Sequence, residues 1–331
     1  MMNDDMMAYG TAPRTLGLLL VNQFALMAYA SVVEAYRAAN ALSGRTLYRW
    51  SHVSVDGGPC QASNGATILP DLAVGDPFAC DALFVFAGGD PTLFDDADTF
   101  GWLRQMAARG AVMIGVSGGA YVLARAGLLE NRRATVHWEY REAFVEAFPS
   151  TICEPGLFVF DGRRVTCAGG MAGMDLAIEL IERDHGHALA VAVSDWFIRP
   201  EARLADRPQR QSLSERYGVS NQRVLRALAE MEGRIEEPVS RQRLAAVAGV
   251  GIRQLERLFR AETGNGLRET YLRVRLAHAE RLLRNTGLNM TAIAFACGFA
   301  NTSHFSRSYR QHFGRPPSHE RVRRQTGAGK P

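Results

Sequence analysis

Between residues 15 and 198, short apolar runs alternate with stretches whose apolar residues recur at helical spacing. Runs at 16–21, 48–55, 82–86 and 112–116 read as strands. Residues 28–41, 98–109, 120–126, 174–183 and 188–198 read as helices. Asp161-Gly162 lies between two short apolar runs, 158–160 and 165–167, which predicts a hairpin. Strands that alternate with helices predict a parallel sheet covered by helices on both faces. Pro200 and Pro208 stop helices in a polar, charged span, so 199–218 is expected to be a linker. The tail 326–331 is expected to be disordered.

From Val219 the pattern is helical throughout, opening on a stripe of Leu225, Leu228, Met231 and Ile235. Two similar units follow. Residues 241–248 and 252–263 read as helices joined at Gly249-Val250-Gly251. Residues 290–297 and 302–313 read as a second such pair, turning at Gly298. A tight helix–helix corner wants a glycine there, because glycine reaches positive φ cheaply. Leu244, Val247, Leu255, Leu258 and Phe259 are the candidate core of the first unit, and Ile293, Phe299, Phe305 and Phe313 that of the second. A helix over 267–284 would bridge them. It would place both second helices on one face of a DNA duplex, about one turn (~34 Å) apart.

Charge sharpens this division. Residues 1–200 hold 14 Arg against 22 Asp/Glu, a balance of −8, whereas residues 201–331 hold 24 Lys/Arg against 12 Asp/Glu, a balance of +12. The basic surplus belongs to the helical part alone and points to a polyanion partner for it. The five cysteines form no pair at metal-ligand spacing, and they read as free thiols of a reducing cytoplasm. Residues 1–13 carry Asp4 and Asp5 without a basic n-region and do not read as a signal peptide. The early apolar run at 16–21 is too short to span a bilayer. Asp90, Asp95, Asp96 and Asp98 fit no calcium loop and read as a loop and a helix start; no metal or cofactor is expected.

In the first part the sharpest motif is Gly115-Val116-Ser117-Gly118-Gly119, between a strand and a helix. It fits a nucleophile elbow, which would expose Ser117 above the sheet. His137, in Thr135-Val136-His137-Trp138, is a candidate general base. Small residues are also what any sharp strand-to-helix turn requires, so the motif alone leaves both readings open.

The helical part resembles the AraC family of regulators over residues 225–324. Arg253, Leu255, Arg257, Phe259 and Gly264 carry the likeness in the first unit, Tyr271, Arg275, Ala279, Leu282 and Leu283 in the bridge, and Ile293, Ala294, Gly298, Phe299, Ser303, Phe305, Ser306, Gly314 and Pro317-Ser318 beyond it. On that pattern Arg253, Glu256 and Arg257, with Thr302, Ser303, Ser306 and Arg307, are expected to read bases, and Arg260, Arg310 and Arg315 to hold phosphates. Gly251 stands where a capping Ser is usual, at a cost of only a few tenths of a kcal/mol. Glu320 stands where an aromatic is common, which is expected to weaken the last helix.

Residues 15–195 resemble the PfpI-type domain of the class I glutamine amidotransferase-like superfamily, a flavodoxin-like α/β fold. The likeness rests on Gly88-Gly89, the elbow at 115–120, residues 124–129, 135–138 and Gly169-Gly170. Active members carry a Cys nucleophile and an acid partner. Here Ser117 holds the first position, and the second falls near Ala28, where no carboxylate stands. A serine without an organised base is a poor nucleophile, so no catalytic residue and no enzyme is expected. What remains is an anion-binding pocket formed by Gly88, Gly89, Ser117, Gly118, His137 and Trp138, with Phe24, Tyr29 and Phe86 nearby. Together the two likenesses are those of the GlxA-type group of the AraC family. They imply a cytoplasmic, ligand-responsive activator of amino-acid or quaternary-amine catabolic genes. Its expected partners are double-stranded DNA, a small-molecule effector, a second copy of the chain and RNA polymerase, with no membrane. An active serine hydrolase using Ser117 and His137, fused to a DNA-binding domain, is the alternative.

Overall fold

The computed structural model describes residues 12–199 and 203–320. The chain divides into two compact units, residues 1–209 and 210–331. Residues 1–11 and the expected tail 326–331 lie outside the described residues.

The first unit is built on one seven-stranded sheet. Its strands are β1 (Arg14–Leu20), β2 (Tyr48–Ser54), β3 (Leu72–Ala73), β4 (Ala82–Ala87), β5 (Val112–Ser117), β6 (Phe158–Asp161) and β7 (Arg164–Cys167), in the order β6-β7-β5-β4-β1-β2-β3. Every neighbouring pair is parallel except β6–β7, which is the hairpin that Asp161-Gly162 predicts. The helices are α1 (Leu26–Ser43), α2 (Ala97–Ala108), α3 (Gly119–Arg125), α4 (Arg141–Ala147), α5 (Ala172–His185) and α6 (His187–Trp196).

Alternation along the strands explains the layering. Phe84 and Phe86 of β4 join Leu16, Leu18 and Leu20 of β1 in a core shared with α1, α5 and α6. Leu83, Val85 and Leu19 face the other way, into a core with α2 and α3. Both faces are therefore dry, as a parallel sheet requires, and each buried Leu, Val or Phe side chain contributes roughly 1.5–3 kcal/mol. The chain runs outward from β1 to β2 and β3, then crosses back to β4 on the other side of β1. Such a reversal opens a crevice at the carboxyl ends of β1 and β4, where open α/β sheets hold ligands.

Within the expected linker at 199–218, the described residues from 203 on are not a free span. Leu157 donates its amide to Ala205 O (2.7 Å), and the Arg203 guanidinium and amide both bind the buried carboxylate of Asp175 (2.7 and 3.0 Å). These contacts strap 203–209 to the first unit. Residues beyond form a short helix, α7 (Leu213–Tyr217), capped reciprocally by Ser212 and Glu215. Its Leu213 and Tyr217 pack into the core of the second unit.

The second unit continues with α8 (Gln222–Gly233), α9 (Arg241–Ala248), α10 (Ile252–Thr263), α11 (Leu267–Asn285), α12 (Met290–Ala296) and α13 (Thr302–Phe313). It has two cores. Leu244, Leu255 and Phe259 pack with α8 and with Tyr271 and Val274 of α11. Ile293, Phe299, Phe305 and Tyr309 pack with Leu276, Ala279 and Leu283 further along the same helix. One helix thus serves both helix-turn-helix units. Glu320, expected to weaken the end of the chain, is a buried carboxylate instead, bracketed by Arg284 and Arg315.

Candidate functional site

Ser117 closes β5 and enters α3 with φ at +57°, a left-handed conformation that a serine adopts only at a cost. The turn is tight because a glycine lies against it: a Cβ on Gly169 would sit 2.5 Å from Ser117 Cβ. The next amide, Gly118 N–H, donates to Ala87 O (3.0 Å), so it is spent within the sheet rather than offered to an anion. Gly88 lies over the loop that follows β1, where a Cβ would come within 2.5 Å of Gln23 O.

His137 and Trp138 join this crevice through a residue that the sequence does not single out. Tyr140 Oη donates to Gly89 O (2.7 Å), and its ring stands 5.8 Å from that of His137, which in turn stands 5.4 Å from Trp138. His137 Nδ1 accepts from Glu139 N–H (3.3 Å), and burial lowers the imidazole pKa. Its ring is therefore neutral with the proton on Nε2. Among the described residues, no hydrogen bond joins Ser117 to His137, and no carboxylate orients His137. Ala28, near where the acid partner is expected, is buried. Close by, Ser31 Oγ donates to Gly170 O (2.8 Å), a structural bond.

A second unanticipated residue holds the same loop. Gln209 Oε1 accepts from Trp138 N–H (2.6 Å), while Gln209 Nε2 donates to Thr135 Oγ1, Val136 O and Gly156 O (3.1, 3.0 and 2.8 Å). Phe24 and Phe86 are fully buried core side chains rather than pocket walls. Tyr29 packs edge-on against both, and its hydroxyl meets His52 Nε2 (2.8 Å), whose Nδ1 faces Asp71 (3.2 Å). In the 90–98 run, Asp90 accepts from the Thr92 amide and hydroxyl, Asp96 caps α2 through Thr99 N–H (2.7 Å), and Asp95 stands 3.7 Å from Arg125.

In the second unit, α10 and α13 present matching faces. Leu255 and Phe259 turn inward on α10, and Phe305 and Tyr309 occupy the same positions on α13. Outward, Arg253, Arg257 and Arg260 form one exposed stripe at i, i+4 and i+7, and Ser303, Arg307 and Arg310 form the equivalent one. Among the described residues, no carboxylate pairs with any of these five arginines. Thr302 and Ser306 are half-buried beside their stripe. Gln254 and His304, also equivalent to each other, are exposed on the same arc, which is wider than the positions a motif names. Sequence reasoning passes over both for that reason.

Two expected DNA contacts are committed elsewhere. Glu256 accepts from Leu267 N–H (3.2 Å) and so caps α11, and Arg241 stands 3.9 Å from its carboxylate. Arg315 is paired with Glu320 and lies 3.8 Å from Glu280. Both serve the protein's own frame.

The DJ-1/PfpI family profile matches residues 23–183, and a helix-turn-helix domain profile matches residues 244–323. The HTH-type transcriptional regulator GlxA of Rhizobium meliloti is 41% identical over 316 residues, 95% of this chain and 96% of that protein. The chain belongs to the AraC family of transcription regulators that carry a DJ-1/PfpI domain. The HTH-type transcriptional regulator CdhR of Pseudomonas aeruginosa is 42% identical over 92% of this chain and 90% of its own length. Among solved structures, an AraC family transcriptional regulator from Pseudomonas putida matches over 56% of this chain and all of its own, with a TM-score of 0.52 and 26% identity. A ThiJ/PfpI family protein from Pseudomonas syringae shares the fold, with a TM-score of 0.53 and 20% identity over 75% of this chain and 99% of its own. As an AraC-type regulator the chain binds DNA, and no described helix is long and apolar enough to cross a membrane.

Proposed function

We propose that this AraC-family regulator is a cytoplasmic, metabolite-responsive activator that works as a homodimer and engages RNA polymerase. The observation that carries the DNA half of the reading is the pair of matching stripes without acidic partners among the described residues. Arg253 and Arg257 have the forked donors that suit guanine O6 and N7, while Ser303, Ser306, Thr302 and Arg307 read the second box. Arg260 and Arg310, further along each helix, hold phosphates. Selection of bound sequences from random duplex DNA tests this: two boxes about one helical turn apart are expected, and a single box would overturn it.

The effector half rests on the crevice at the strand ends. Gly88, Gly89, Ser117, Gly118, His137 and Trp138 border it, with Tyr140 between them. A small zwitterion such as an amino acid or a quaternary amine suits a neutral histidine beside aromatic rings. Binding shifts the protein between two states only through unequal affinity for them. A thermal-shift screen of amino acids, betaines and carnitine is the direct test, since a ligand at 100 times its Kd stabilises by about 2.7 kcal/mol. No shift across that panel would sink the effector class.

The strained φ of Ser117 is the one observation that favours a hydrolase. The expected result is that wild type and Ser117→Ala show the same background turnover of model esters and amides. A Ser117-dependent rate would reverse the assignment.

A further inference from the structure

Two residues of the bridging helix, one turn apart, grip both helix-turn-helix units at once. Tyr271 Oη binds the approach to the first unit, donating to Arg234 O and accepting from Val239 N–H (3.2 Å). Arg275 binds the turn of the second: Nε donates to Cys297 O and Nη2 to Gly298 O, both at 2.7 Å, while its guanidinium lies 4.2 Å from the centre of the Phe299 ring. The two gripped segments touch each other. Gly298, at φ +69°, lies so close to Ile235 O and Pro238 that any Cβ would collide with them. The turn of one unit is therefore seated on the entry segment of the other, and both are tied to a single helical turn of α11.

We infer that Tyr271 and Arg275 form a clasp that fixes the distance and helical phase between the recognition helices α10 and α13, and so set the spacing between the two boxes of the operator. The inference rests on the proposal that both stripes read DNA. Neither side chain touches DNA in this scheme; both are positioning residues. The reason the clasp matters is geometric. One base pair inserted between boxes turns the second box by about a tenth of a turn, which a rigid pair of helices cannot follow. The fork of Arg275 binds two carbonyls in fixed relative positions, whereas a lysine at the same place is a single point of attachment.

The test uses the full-length protein and an operator that it selects from random duplex DNA. Affinity is measured for that operator, for versions with one base pair added or removed between the boxes, and for a version with one box scrambled. Wild type is expected to lose about 100-fold on the insertion, the worth of roughly two base contacts. Tyr271→Phe and Arg275→Lys are expected to lose about 10-fold or less, with single-box affinity within about 2-fold of wild type, because partial freedom lets either helix follow its box. Folded variants that keep the full insertion penalty overturn the clasp, as do variants whose single-box affinity collapses with it. Arg275→Ala is the stronger lesion; if it does not fold, the two conservative variants carry the test. A wild type that selects no two-box sequence overturns the underlying reading instead.

Discussion

The crevice of the first unit and the recognition helices of the second differ in where their polar groups point. At the crevice they turn inward. Gly118 N–H, Tyr140 Oη, His137 Nδ1 and both ends of the Gln209 amide are all satisfied by neighbouring protein groups, and Ser117 is only 7% exposed. On the recognition helices the guanidinium groups turn outward, with no carboxylate among the described residues to neutralise them. A motif therefore carries different weight in the two places. A surface stripe of unpaired cations keeps its affinity for phosphate and base edges in any context. A buried elbow acts only through donors that are left free, and here Gly118 N–H is already spent on Ala87 O.

The sharpest way to break this comparison is to remove the outward charges. Arg253→Ala with Arg257→Ala is expected to weaken operator binding by about 100-fold or more, at roughly 1–3 kcal/mol for each base contact, and to relax base preference at two positions. Unchanged affinity across operator variants would show that these arginines do not read DNA. Next in size is Gln209→Ala, which strips the 135–138 loop of its amide clamp and leaves buried partners unsatisfied. A loss of about 3 kcal/mol in urea unfolding of the first unit is expected, with the DNA-binding unit unaffected. A loss below about 0.5 kcal/mol would mean that the loop holds itself and that its polar groups are freer than argued.

A third effect is acid sensitivity contributed by the bridging helix. Burial, with help from Arg281, pushes the pKa of His278 down to about 4 from its ordinary 6.5. The unfolded chain takes up this proton near pH 6.5 and the folded chain only near 4. Stability is thus complete above 6.5 and is lost as pH falls through that window, by about 2 kcal/mol at pH 5. His278→Gln should flatten that dependence, and an equally acid-sensitive variant would contradict the assignment. The smallest effects separate the two recognition helices. Asn301 caps α13 through His304 N–H (2.8 Å), whereas Gly251 offers α10 no side chain. Asn301→Ala should cost about 1 kcal/mol and Gly251→Ser should gain a few tenths, both read from thermal unfolding.

Much of the fold is legible in the amino-acid pattern alone. The sheet strands β1, β4 and β5 follow from continuous apolar runs, β2 from a strand-like mixture of apolar and polar positions at 48–55, and the hairpin follows from Asp161-Gly162. The recognition stripes follow from helical spacing, because Leu255, Phe259, Phe305 and Tyr309 can face inward together only if Arg253, Arg257, Arg307 and Arg310 face out. Glu256 and Arg315 escape such reasoning because each finds a partner that helical periodicity does not point to: Glu256 takes Leu267 N–H at the start of the next helix, and Arg315, in the bend after α13, pairs with Glu320.

By itself the sequence determined what local physics controls: the alternation of strands and helices, the two glycine-cornered helix pairs, the basic surplus after residue 200, and a serine where a thiolate would be needed. Only the tertiary structure decided which polar groups remain available. Tyr140 reaches Gly89 across 51 residues and Gln209 reaches Trp138 across 71, and no periodicity encodes such meetings. They arise because burying a polar group unpaired is costly, so the fold assigns partners to whichever groups it brings inside and leaves the remainder, the arginine stripes, to the solvent and to DNA.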